Sequence, residues 1–356
     1  DGDHLGVVPQ TWHAHEMIFG YATAAMGGFF LTAVPNWTGA KAAPERFVML
    51  VSGLWLAGRL AVCLAGYLPA VVVAAIDLAF LPVLAAKILT QLLVKPKPQN
   101  MMFLLLISLV WTSNLLVHLD WMGLTNTGWQ GLRGGLLTVC AMIAVLGGRV
   151  TPAFTRNALL REGRPDRLPV EHRRLDAAGI ILAIATAVAV LIGLPDAVGA
   201  VLAILAGLAA AARLSGWRGL ALPGQPIVWV LHLGYGMLAL GFVLWGLAQL
   251  GLGDEMAALH VLGIGAVGGM TLAVMSRATL GHSGRALVAP GPVALAYALI
   301  PVAVVLRWAG STFPGSFYLP GVLGSGLAWC LAFTLYVVAL WPIFVGPRSN
   351  GKEAAA

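Results

Sequence analysis

The sequence is dominated by long apolar runs separated by short polar breaks, and this feature leaves few folds open. Spanning about 30 Å of hydrocarbon takes about 20 helical residues. Roughly eleven runs reach that length: 15–34, 46–66, 70–94, 101–118, 132–150, 177–194, 197–213, 227–250, 256–279, 288–308 and 318–345. Hydrophobic residues make up 59% of the chain and charged ones 10%, against about 25% charged in a soluble domain. Too few charges remain to face water. The expected fold class is therefore all-α, a polytopic transmembrane helical bundle forming a single integral membrane domain over 1–356. Backbone polar groups find no partner in lipid, which favours helices. The ten-residue alternation of a membrane β-barrel is absent.

Loop charges predict a direction. Lys41, Arg46, Lys95, Lys97, Arg149, Arg213 and the stretch from Arg156 to Arg174 fall on one side. Asp1, Asp3, Asp120, Asp196, Asp254 and Glu255 fall on the other. The positive-inside rule makes the basic side cytoplasmic. The N-terminus then lies outside, and a twelfth helix upstream is expected. The net charge of +7 is spread over these loops, so no nucleic-acid partner is expected. Segment 151–175 reads as a basic cytoplasmic loop that anchors topology, and 349–356 as a disordered tail. Cys63, Cys140 and Cys330 lie in separate apolar runs with no metal-binding spacing and read as buried thiols.

Gly263-Ile264-Gly265-Ala266-Val267-Gly268 matches GxGxxG. A dinucleotide site needs a strand before that turn, and here the match lies inside an apolar run. Close helix packing is the better reading, and the same flat surface suits a porphyrin face. Met270 and Met275 read as core rather than as soft copper ligands. No repeat between the two halves stands out.

Ionisable groups inside spans are costly and often functional. By depth, His13, His15, His118 and His260 gather at the outer ends of three spans. His232 lies in the inner half, and His282 follows the ninth span. Four histidines at one level favour metal or heme ligation over isolated helix–helix hydrogen bonds. His13 and His15, two apart, point to different sides of a regular helix. Glu16 orients a histidine, relays protons or complements the helix N-terminus. Asn114 shares a face with His118 and is placed to orient it. Tyr235 shares one with His232. Arg277 and Arg285 suit a heme propionate or a lipid phosphate. Arg59 and Lys87 read as snorkelling side chains, and Asp77 as an ion-pairing or proton-carrying group.

The run His13-Ala14-His15-Glu16-Met17-Ile18-Phe19-Gly20 and its continuation, Gly28 through Gly39, resemble the opening of the NnrS family of bacterial membrane proteins. Gly147 through Pro152, Leu231-His232-Leu233-Gly234-Tyr235 and His260 through His282 are similar to later family segments, in order. The resemblance implies a twelve-span inner-membrane protein with heme, taken as b-type, and copper. It implies a link to nitric oxide, denitrification and relief of nitrosative stress. His13, His15, His118, His232, His260 and His282 match the family's histidines, without a division between iron and copper. The expectation is a nitric oxide reductase-like oxidoreductase fed by an unidentified electron donor, with the His13/His15 end periplasmic. The alternatives are a transporter for copper, heme or a small solute, and a non-catalytic partner of other nitric oxide enzymes.

Overall fold

The computed structural model describes residues 6–313 and 315–349. His4 and the tail from Asn350 onward lie outside the described residues.

Among the described residues, the apolar runs form eleven helices long and apolar enough to cross a membrane. They are α1 (Pro9–Thr38), α2 (Glu45–Cys63), α3 (Ala70–Leu92), α4 (Pro98–Trp121), α5 (Gly128–Arg161) and α6 (Arg173–Leu191). Then come α7 (Asp196–Ser215), α8 (Pro226–Gln249), α9 (Glu255–His282), α10 (Gly291–Thr312) and α11 (Tyr318–Val345). No strand occurs among the described residues. The protein is a multi-pass helical membrane protein. Large apolar side chains such as Leu323, Leu327 and Val338 stay exposed, as lipid-facing residues do.

The boundaries follow local chemistry. Prolines open α1, α4 and α8, where a missing N–H costs nothing. Asp254 caps α9 by accepting from the Ala257 N–H at 2.7 Å. α1 ends at Gly39, in the left-handed region at φ 74°.

Two expectations are corrected here. Helix α5 continues through Pro152 to Arg161, so 151–161 is helix and the basic loop proper begins after it. With α5 this long, Arg156 and Arg161 project from a helix rather than a coil. Of the three cysteines, only Cys140 is buried; Cys63 is half-buried and Cys330 exposed. A thiol is apolar enough to stand on a lipid-facing helix surface.

The chain divides into two compact units. Unit 1 comprises 1–139 and 187–194, and unit 2 comprises 140–186 and 195–356.

Two helices carry backbone irregularities. In α1, Glu16–Ala22 is π-helical, and in α9 so is Val261–Gly268. Such segments are rare and cluster at functional sites. A break at Ala79 divides α3. Pro82 has no N–H to give the Leu78 carbonyl four residues back. The Trp111 indole N–H takes its place at 3.0 Å. The break thus falls beside Asp77.

Candidate metal centre

In unit 1, α1, α2, α3 and α4 bring ionisable side chains to one buried point. Asp77 of α3 is its hub. Its Oδ2 accepts from Asn114 Nδ2 and His118 Nε2, each at 2.8 Å. His15 Nε2 lies 3.3 Å from the same oxygen. Its Oδ1 accepts from Arg59. Both oxygens of this buried carboxylate are engaged, as the low dielectric requires.

His15 is fully buried. Its Nδ1 faces Glu16 Oε1 at 3.0 Å and its Nε2 faces Asn114 Oδ1 at 2.9 Å. Both partners are acceptors, so the ring as arranged donates from both nitrogens. Glu16 also accepts from Arg59. Glu16 and Asp77 as carboxylates carry two negative charges. Arg59 cancels one, and the doubly protonated His15 cancels the other.

The local sequence makes this meeting feasible. A Cβ at Gly20 would lie 2.9 Å from Arg59 Nη1, and one at Gly58 2.9 Å from Asp77 Oδ1. Those two glycines let the guanidinium pass α1 and let α2 approach α3. Here the structure corrects an expectation. Arg59 turns inward to Glu16 and Asp77 rather than snorkelling, because two carboxylates attract it. Trp121 and Phe19 pack on the His15 ring, with centroids at 4.8 and 5.1 Å.

Ligand atoms of His15, Asp77 and His118 all lie within 4.8 Å of one another. Two imidazoles and a carboxylate are a donor set for copper, iron or zinc. A cuprous ion would replace a His15 proton and keep the charge balance, whereas a divalent cation would add one positive charge. The residues therefore fit a metal ion.

Each of the other sequence-selected residues has surroundings of its own within its unit. His13 is exposed, on the opposite side of α1 from His15. Asn114 bonds to His15 and Asp77, and it is Asp77 that orients His118. His232, His260 and His282 belong to unit 2. His232 Nε2 meets Thr155 Oγ1 at 2.8 Å, and its Nδ1 is buried beside Gly219 with no hydrogen-bond partner. Half-buried His260 gives Nδ1–H to the Met256 carbonyl at 2.6 Å. His282 is exposed at the end of α9. Tyr235 bonds not to His232 but to Arg213, at 2.5 Å. Arg277 is buried with its guanidinium 3.8 Å over the Phe154 ring.

Arg213 also departs from expectation. It is buried in α7 rather than lying in a loop. It binds Asp176 at 2.7 Å and the Ala144 carbonyl at 3.0 Å.

The NnrS protein family model matches residues 2–348. The chain belongs to that family. No curated protein matches it.

Proposed function

We propose that this NnrS-family chain binds heme and copper in a bacterial inner membrane and acts on nitric oxide. The convergence of His15, Asp77 and His118 within the apolar spans carries this reading. Membership of the family fits a membrane protein related to nitric oxide. Nitric oxide is small and apolar, so a site within the bilayer suits it.

When bound, the metals supply the centre that takes nitric oxide and passes electrons. His15, His118 and Asp77 would hold the copper. Arg59 pairs with Asp77 Oδ1 and leaves Oδ2 facing the histidines. Glu16 touches His15 while its side chain stays 18% exposed, so it carries protons between His15 and the outer side. Converting two nitric oxide molecules to nitrous oxide and water consumes two protons and two electrons. The electrons come from an external donor. The basic loops face the cytoplasm, and the His13/His15 end faces the periplasm.

The test uses the detergent-purified chain loaded with heme and copper. Nitric oxide should shift the Soret band of the reduced protein, and metal analysis should find copper that His15→Ala removes. Nitrous oxide in a single turnover would establish reduction. A Soret band unmoved by nitric oxide would sink the proposal.

A further inference from the structure

Three features recur in the same order at two places in the chain. His15 is the last residue before the π segment Glu16–Ala22, and His260 the last before Val261–Gly268. One helix later come Arg59 in α2 and Arg307 in α10. Then Tyr67-Leu68-Pro69-Ala70-Val71 introduces α3, and Tyr318-Leu319-Pro320-Gly321-Val322 opens α11. The offset between copies drifts by only three residues at each step. π-helix accounts for well under 1% of residues in ordinary proteins. Two such segments here each follow a histidine and are each followed by the same landmarks.

Packing repeats as well. Trp55 of α2, one turn before Arg59, reaches the Gly20 carbonyl of the first π segment at 2.8 Å. Val304 of α10, one turn before Arg307, would lie 3.1 Å from a Cβ at Gly265 of the second. α2 meets α3 at Gly58, and α10 meets α11 at Gly310 and Gly321. Helices α1–α3 and α9–α11, each within its own unit, thus share these landmarks in the same order.

The copies differ in charge. The residue after the histidine is Glu16 in the first and Val261 in the second. Ten residues beyond the shared tyrosine stands Asp77 in the first and Ala328 in the second. The second set has neither carboxylate at these positions.

This difference separates two kinds of ligand. A bare metal cation inside a bilayer needs anionic donors to offset its desolvation. The core of a ferrous porphyrin is neutral, because the macrocycle carries the two negative charges. It needs an imidazole and no carboxylate. The Met256 carbonyl can only accept, so His260 Nδ1 holds the proton and Nε2 is the basic nitrogen. That is the tautomer of a metal-binding imidazole. One turn on, Gly263 has nothing within 4 Å of where its Cβ would stand, so a flat ring could approach the backbone there.

We propose that the duplicated element divides the two cofactors. The carboxylate-bearing copy takes a bare metal ion at His15 and Asp77, and the stripped copy takes heme iron at His260 Nε2. This assignment rests on the heme and copper of the proposed function.

The test uses the full chain, purified with heme and copper. His260→Gly should lose the Soret band, keep its copper, and regain the band when imidazole is added. Asp77→Asn should do the reverse, losing copper and keeping the band. His260→Cys should retain heme with a displaced Soret band, which guards against a glycine variant that misfolds. A wild-type Soret band in His260→Gly or His260→Cys would overturn the assignment while leaving the proposed function standing. Wild-type protein that takes up no heme would remove both.

Discussion

Each unit pairs an arginine with a carboxylate inside its spans, and the two arginines, Arg213 buried and Arg59 partly buried, are treated differently. In unit 2, Arg213 meets Asp176, the Tyr235 hydroxyl and the Ala144 carbonyl, and Trp217 and Tyr235 pack against it. One cation faces one carboxylate, and no histidine takes part. In unit 1, Arg59 faces two carboxylates, and two histidines complete the cluster. The first arrangement is charge-balanced by itself and has nothing left to bind. The second balances only with a further positive charge, supplied by a proton or a metal cation. A buried ion pair is therefore weak evidence of function. A buried cluster with one negative charge too many, next to imidazoles, is much stronger evidence.

This contrast is breakable at several points. The largest effect is expected at Asp77→Ala, which strands Arg59, Asn114 and two histidines. Breaking a buried pair costs about 3–5 kcal/mol, and copper should vanish from the purified variant. Thermal melting in detergent with metal analysis reads both. A variant of unaltered copper content would show that Asp77 is only structural.

Gly148→Val comes next. Any Cβ at Gly148 collides with the Arg213 guanidinium, and overpacking costs about 1–3 kcal/mol. The melting temperature should fall while copper per folded molecule stays constant. Loss of copper here would mean that Arg213 serves the metal centre after all.

The double variant Arg213→Met, Asp176→Leu should cost less than Gly148→Val, because replacing a closed ion pair with apolar residues is often neutral or stabilising. Melting clearly below that of Gly148→Val would mark the pair as more than a lock. The smallest effects belong to His13→Ala and His172→Ala, both at exposed positions. Copper content and visible spectrum should match the parent protein, and a change in either would reopen the ligand set.

Much of this is legible in the sequence alone. The count of spans follows from apolar length, and depth alone selected His15 and His118, though it selected His13 and His260 along with them. Lateral neighbours were not legible, since nothing in the spacing of Asp77, Asn114 and His15 says that α1, α3 and α4 adjoin. Arg59 near a helix end reads naturally as snorkelling. The space at Gly20 and Gly58 turns it inward, and a glycine in a span looks the same whether it admits a side chain or a helix. The duplication was hidden for a related reason. Only a histidine, an arginine and a Tyr-Leu-Pro survive as letters, and the π segments that align them appear only in the backbone.

Those π segments also bear on how such a protein changes over time. A π turn is the form an α-helix takes when it absorbs one extra residue without breaking. Each added residue rotates the remainder of the helix by about 100°. The span can therefore gain or shed a single codon next to its histidine and remain a span. The bearing of the ligand against the rest of its helix is adjustable by insertion and deletion, with no need to rebuild the helices that pack around it.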